Sequence, residues 1–409
     1  MRRCSGSLSR NLLTISLTLV LAYGISAPAN AQQGQPPTQD VPSVPAHLAA
    51  AQGIVPEPAW LERAAVFADR NLGGGGGSNG FYVYSKSPVP GAGFITLGPG
   101  YRRWFKNDNA VVDGSAGVSW RGYKTAQARL ELPKLFRSRV TLGSQYLFQD
   151  FRSVESFGEG PATLETDLAS YHLRSQNVVG YATVRPLRSV AVGTQLGYLK
   201  PSLRTTNTPE PAFVHGELAI TADTRDFPGH PTRGGLVRMA VSRYTDRDGG
   251  NSSFDRYESE VARFIPLAGS RIVVAMRGWL VASDTDAGQT VPFYLQPNLG
   301  GSRSLRSYSD YRFHDRHMLL ANAELRVALF THLDVVAFAD AGNVAARLGD
   351  LDLDKRSYGG GLRFHSRRET FMRFDVANGR EGWRTIFSLS EPLGLSRLSR
   401  RTAPTPFVP

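Results

Sequence analysis

The chain has 409 residues, 41% of them hydrophobic and 20% charged, with a formal net charge of +12. That is enough apolar material for a packed fold and too much for a disordered chain. Its single cysteine, Cys4, excludes a disulfide framework.

The chain opens like an export leader. Arg2, Arg3 and Arg10 form a basic start, and Ala29-Asn30-Ala31 reads as a small-residue cleavage site. Between them Leu12 to Tyr23 is an apolar run of about a dozen residues, too short to span a bilayer as a helix. Residues 1–31 are therefore expected to be a cleaved signal peptide. Their removal takes away three of the 47 basic residues and none of the 35 acids, leaving a formal +9. With Cys4 gone as well, cysteine nucleophiles and cysteine metal sites are excluded. The basic surplus suits solvated surface, a polar lumen or anionic lipopolysaccharide. No basic patch with interleaved aromatics points to nucleic acid.

Residues 32–77 read as a Pro/Gly-rich linker. Within it, residues 58–70 predict a short amphipathic helix with Pro58 at its first position and a stripe of Trp60, Leu61, Ala64, Ala65, Val66 and Phe67. The run Gly73–Gly77 closes the segment. From residue 78 to 392 the texture becomes strand-like, with runs rich in Val, Ile, Leu, Tyr, Phe and Thr between turn residues. The runs fall near 80–87, 92–104, 109–120, 122–132, 137–150, 168–185, 188–201, 212–225, 234–245, 253–265 and 270–283. After a long loop come 316–330, 332–342, 356–366, 368–377 and 382–391. That is about sixteen strands, an even number. Residues 393–409 form a basic tail, expected to be an appendage beyond the last strand.

After the leader, no apolar run is long enough for a membrane-spanning helix. The signal is alternation. Val190, Val192, Thr194, Leu196 and Tyr198 share one face of a strand, opposite Ala191, Gly193, Gln195 and Gly197. Ile272, Val274, Met276 and Leu280 oppose Arg271, Arg277 and Trp279. A transmembrane barrel with a lipid-facing exterior and a wet lumen gives this pattern. A soluble sandwich gives the same alternation with inside and outside exchanged.

The most informative stretch is Gly300 to Gly342. A loop beginning Gly300-Gly301 carries Arg303, Arg306 and Arg312. Two strands follow. Leu319, Ala321, Ala323, Leu325 and Val327 oppose Asn322, Glu324 and Arg326, and Leu333, Val335, Ala337 and Ala339 oppose Asp334, Phe338 and Asp340. A buried acid needs a cation. The loop is therefore expected to fold back and set an arginine beside Asp340 and Glu324.

This stretch resembles the signature region of the BamA/TamA family of outer-membrane barrels, also called the bacterial surface antigen family. Leu305-Arg306-Ser307-Tyr308 is similar to the family's Val/Ile/Leu-Arg-Gly-Phe/Tyr loop motif, with Ser307 in place of Gly. Phe338-Ala339-Asp340-Ala341-Gly342 is similar to its Phe-x-Asp-x-Gly strand, and Asn322 to Arg326 matches the strand between. Asp223-Thr224-Arg225-Asp226-Phe227-Pro228, with Pro231, Gly234 and Gly235, resembles a hairpin of the same family, with the charges of Arg225 and Asp226 expected to be solvated turn residues. Phe157 to Pro161 resembles a family loop more weakly. The resemblance implies an all-β, sixteen-stranded transmembrane barrel whose long loop enters the lumen. It implies a latch of Arg306, Tyr308, Glu324 and Asp340. The family's periplasmic POTRA modules have no room in residues 32–77.

Three functions remain open. The resemblance implies insertion or translocation of proteins through a seam between the first and last strands. It also implies the bacterial outer membrane, with lipid and lipopolysaccharide around the barrel and unfolded outer-membrane proteins and periplasmic proteins as partners. A passive pore is the alternative. A hydrolase is the third, but G-x-S-x-G, H-E-x-x-H and phosphate-binding glycine motifs are all missing. The chain is expected to have no catalytic residues, no cofactor and no metal site. His314 and His317 are spaced poorly for a shared ion.

Overall fold

Sixteen strands follow one another as neighbours in a single antiparallel sheet. The structure, a computed structural model, describes residues 53–71, 79–84, 91–93, 96–105, 108–204, 210–366, 369–389 and 393–395. The expected signal peptide, most of the linker and most of the tail lie outside them. The first strands are β1 (Gly80–Tyr84), β2 (Thr96–Phe105), β3 (Ala110–Ser119), β4 (Lys124–Lys134), β5 (Val140–Ser156) and β6 (Ala169–Leu187). Next come β7 (Val190–Leu203), β8 (Phe213–Asp223), β9 (Gly234–Asp246), β10 (Phe254–Pro266) and β11 (Ile272–Asp284). Two short strands, β12 (Asn298–Leu299) and β13 (Phe313–His314), pair with each other inside the long connection. The sheet resumes with β14 (His317–Phe330), β15 (Leu333–Ala345), β16 (Lys355–His365), β17 (Thr370–Gly379) and β18 (Gly382–Ser388). Sheet neighbours are sequence neighbours, except that β11 pairs with β14 across the long connection.

The sense of the alternation decides between membrane barrel and soluble fold. Leu196, Leu218, Ile220, Val241, Leu325 and Val335 are exposed, whereas Glu131, Glu260, Arg277, Glu324, Asp340, Arg363 and Asp375 are buried. A soluble protein does the reverse. Here the apolar band faces outward and the charges face inward, as a lipid-facing wall and polar lumen require. The sheet curls far enough for opposite walls to meet. The β8–β9 turn reaches β17, where the Thr370 N–H donates to the Gly229 carbonyl at 3.2 Å. Inward aromatics lie flat over glycines of neighbouring strands. A Cβ on Gly100 would come within 2.3 Å of the Tyr82 ring, and one on Gly143 equally close to Tyr181.

The expected helix forms as α1 (Ala59–Asn71). Its buried stripe is Leu61, Ala65 and Ala68, while Trp60 and Phe67 point outward. The stripe therefore runs i, i+4, i+7, shifted from the face expected. The linker is also less loose than expected at this end. Ile54 and Val55 donate to the carbonyls of Ala328 and Leu329, each at 2.9 Å. The Glu57 carboxylate lies 2.9 Å from His332 Nδ1. The tail, too, begins as more than an appendage. Leu393 and Leu395 are buried with Ala262, Phe264, Val273 and Ala275, inward-facing residues of β10 and β11. No helix among the described residues is long and apolar enough to cross a membrane.

Candidate functional site

The long loop reaches its seat through backbone features that the sequence dictates. Gly300 and Gly301 take φ of 118° and 84°, where other residues are strained. A Cβ on Gly300 would lie 2.1 Å from the Ser309 carbonyl, so two arms of the loop close on each other there. The Gly301 N–H donates to the Tyr308 carbonyl at 3.0 Å, and the Ser304 hydroxyl bonds the Gly300 carbonyl at 2.8 Å. This compact turn presents Leu305 to Tyr308 to β14, β15 and β16.

At its centre Arg306 is 2% exposed. Its Nε and Nη2 donate to the two oxygens of Asp340 at 2.9 and 2.7 Å, and its Nη1 donates to Glu324 at 2.6 Å. The forked guanidinium thus spans two strands, since a carboxylate accepts two parallel N–H bonds. The guanidinium carbon lies 3.5 Å from the centre of the Phe338 ring. Asn322 ties the same acid to the loop, donating to Asp340 at 2.8 Å and to the Ser304 carbonyl at 3.0 Å. Glu324 also accepts from Arg326 at 3.0 Å and Arg363 at 3.2 Å. Arg363 and Arg373 in turn share Asp375. Leu305 and Tyr308 are buried with Trp279, Val281, Leu299, Phe313, Met318, Leu320 and Val344.

Ser307 does not adopt a positive φ, so it carries no left-handed strain. Its N–H donates to the Ser357 hydroxyl at 2.9 Å. Its side chain occupies space that Gly379 leaves open, for a Cβ there would lie 2.2 Å from Ser307 Oγ.

The loop also grips the last strand and a distant loop. Arg384 of β18 donates to the Tyr308 carbonyl and to Asp310, the latter at 3.3 Å. Arg312 donates to Glu381 at 2.7 Å and to the Thr163 carbonyl at 2.7 Å, and stacks on Phe157 and Phe313. The Gly160 N–H donates to the His314 carbonyl at 2.8 Å. Arg312 is therefore engaged elsewhere and does not compete for the two acids. Sequence reasoning missed the partners Arg363, Arg373, Asp375 and Arg384. A usable signal existed for some of them. Opposite charges two residues apart on one strand face, as in Glu324 and Arg326 or Arg373 and Asp375, mark an inward network.

The β8–β9 hairpin is a second built element, apart from the loop seat. Arg225 pairs with Asp223 through Nε at 2.9 Å and Nη2 at 2.8 Å, and its Nη1 caps the Pro228 carbonyl at 3.1 Å. Asp226 accepts from the Thr232 N–H at 2.9 Å. The reading of Arg225 as a solvated turn charge is thus corrected, because its side chain is fully covered. Asp226 is likewise bonded within the turn. Pro231 lies at the hairpin's closing bend, Gly234 takes φ 91° beside the Thr224 carbonyl, and the Gly235 N–H donates to Thr224 Oγ1 at 3.1 Å. Within the hairpin, burial and the adjacent His365 ring push the His230 imidazole down to about 4.

Comparison with known proteins gives one family and a shared fold. Residues 109–380 match the model of the Omp85 superfamily domain. No curated protein sequence matches the chain. Among solved structures, BamA from Haemophilus ducreyi lacking POTRA domains 1–3 is similar at a TM-score of 0.59 and 16% identity, covering 76% of this chain and 70% of that one. CdiB from Escherichia coli is similar at 0.52 and 14% identity, covering 74% of this chain and 58% of that one. The chain therefore spans less than two thirds of the CdiB chain.

Proposed function

Because the chain belongs to the Omp85 superfamily, we propose that it is a bacterial outer-membrane barrel that inserts or translocates other protein chains through the seam between β1 and β18. The observation that carries this reading is the sheet order. It begins at β1 and ends at β18, and no strand pairing joins the two among the described residues. A sheet edge offers backbone donors and acceptors to an incoming strand. The β1 side is lightly held. Among the described residues β1 pairs with β2 over five positions, and the β2–β3 pairing lapses around Gly98-Pro99, where proline has no N–H to give. The β18 side is braced from within, through Arg384 and the Arg312–Glu381 pair. In this reading the latched loop is a strut that holds β18 while β1 yields.

A passive pore is the weaker reading, since the loop and its ion-paired acids occupy the lumen between β14 and β17. We assign the barrel no catalytic step. Its partners are outer-membrane lipid and lipopolysaccharide around the wall, unfolded outer-membrane proteins as clients, and periplasmic proteins that deliver them. The end where β1 begins and β18 ends faces the periplasm. The test places a photoreactive residue at Phe81 or Thr385 and follows a defined outer-membrane barrel protein during synthesis. Cross-links at both edges, with none from a control at Val241 on β9, support the proposal. Equal capture at Val241, or none at the edges, refutes it.

A further inference from the structure

The β8–β9 hairpin lies across the end of the barrel where β1 begins and β18 ends. Gly229 bridges Glu369, and its carbonyl accepts both the N–H and the hydroxyl of Thr370, each at 3.2 Å. This sets His230 against Asp334, at the start of β15, and His365, at the end of β16. The two imidazoles stack with centroids 3.6 Å apart and planes 9° from parallel. His365 Nε2 lies 3.1 Å from one Asp334 oxygen and His230 Nε2 lies 3.3 Å from the other. All three side chains are buried, and their donor atoms fall within 4.8 Å of one another.

The other ring nitrogens fix the protons. His365 Nδ1 faces the Ser366 carbonyl at 3.0 Å, and a carbonyl only accepts, so that nitrogen carries the ring proton. His230 Nδ1 faces Thr370 Oγ1 at 3.2 Å, and that hydroxyl gives its own proton to the Gly229 carbonyl. His230 Nδ1 is therefore a donor as well. With Nδ1 of each ring engaged elsewhere, both Nε2 atoms are turned toward a single carboxylate. Three groups able to ligate a metal thus converge at one buried point. Arg326, whose field reaches His230, is already bonded to Glu324.

We propose that His230, Asp334 and His365 bind a divalent transition-metal ion of the zinc class, pinning the β8–β9 hairpin to the opposite wall of the barrel. Two imidazoles and a carboxylate suit zinc-like ions better than the all-oxygen shells of calcium or magnesium. Tetrahedral bonds of about 2.0–2.1 Å put neighbouring ligand atoms about 3.3 Å apart. Each Nε2 lies near a different oxygen of Asp334, so the carboxylate must turn one oxygen toward the ion on binding. Each ring also donates its second N–H to a carbonyl or hydroxyl, the usual support for a metal-bound histidine. Binding asks the stacked rings to splay so that the ion can approach both ring planes. The fourth position is open to water. Sequence spacing concealed the site and gave the expectation of no metal, because Asp334 and His365 come from the paired ends of β15 and β16 and His230 joins them only when the sheet curls.

The test uses the purified full barrel, refolded in detergent and stripped with a chelator, then titrated with cobalt(II) and afterwards zinc(II). The expected result is one equivalent of cobalt with the visible absorption of a tetrahedral site, displaced by zinc. His365→Ala and Asp334→Asn should weaken binding by more than about 100-fold, the upper end of what losing a mere supporting partner costs. Substitution of His172, which pairs with Asp150 elsewhere, should leave binding unchanged. Zinc should also raise the temperature at which the folded gel band converts to the unfolded one, and chelator should reverse this. Folding of each variant is checked by the same band. If a variant fails to fold, the wild-type titration and chelator reversal decide. The proposal is overturned if folded wild-type protein takes up no stoichiometric cobalt, or if uptake survives in either His365→Ala or Asp334→Asn.

Discussion

Arg306→Ala removes a loop side chain that is ion-paired to two strands at once. Its consequences differ between the two acids. Glu324 keeps Arg326 and Arg363. Asp340 keeps the Asn322 amide and the backbone N–H of residue 306 but loses both guanidinium bonds. Asp340 has no exposed side-chain surface, so it is left as a buried charge without that cation. Breaking a buried pair from one side costs about 3–5 kcal/mol, against about 0–1 for an exposed pair. The lost contact with Phe338 adds about 0.5–2 kcal/mol. At a urea slope of about 1–3 kcal/mol/M, the unfolding midpoint of the detergent-solubilised barrel should fall by at least about 1 M. Asp340→Ala should cost a similar amount, and the double mutant little more than either. Arg306→Lys keeps the charge and loses the fork, so it should fall between. The assay pairs urea titration with protease cleavage in 285–316, which should quicken in parallel. Single-mutant effects that add within about 0.5 kcal/mol would refute the latch.

Other predictions concern the walls. Gly379→Ala places a methyl 2.2 Å from Ser307 Oγ and should destabilise the loop seat by about 1–3 kcal/mol, with partial rescue by Ser307→Gly in the same urea titration. Gly234→Ala, at φ 91° beside the Thr224 carbonyl, should cost at least about 1–3 kcal/mol and expose the β8–β9 hairpin to protease. Deleting 393–409 uncovers Phe264 and Val273 and should lower the temperature of heat-modified gel migration, whereas an unchanged profile would mean that Leu393 and Leu395 contribute nothing. Residues 32–409 without detergent should aggregate, because Leu196 and Leu218 are 66% and 55% exposed.

The strands were readable because alternation has a fixed period, and a two-faced wall needs it along its whole length. The bounds of β14 and β15 differ from those expected by a few residues at most. Arg306, Glu324 and Asp340 were readable because charges placed among apolar residues must find partners. The direction of the alternation was legible only through the glycines and small polar residues of one face, such as Gly193, Gln195 and Gly197, since lipid outside and core inside otherwise give the same string. Burial of Glu324 and exposure of Leu325 settle it. Long-range partners were not readable either. Nothing near Ser307 in the chain announces that Gly379 makes room for it. Nothing near Arg225 says that its own hairpin covers it. Nor does the spacing of His230, Asp334 and His365 foretell that they meet. The contacts of Gly379 and of His230 arise from the loop's return and the curling of the sheet, which sequence distance does not encode, whereas Arg225 is covered by the local geometry of its turn.

The seam itself can be locked. A cysteine at Val83 is combined in turn with one at Trp383, Thr385 or Phe387, in a chain whose only natural cysteine is Cys4. Each purified barrel is placed in vesicles and given an unfolded outer-membrane protein. The account predicts that oxidation forms the β1–β18 cross-link, stops folding of the client into the vesicle, and that reductant restores the rate. A fully cross-linked barrel that still assembles its client at the reduced rate's full value would contradict it.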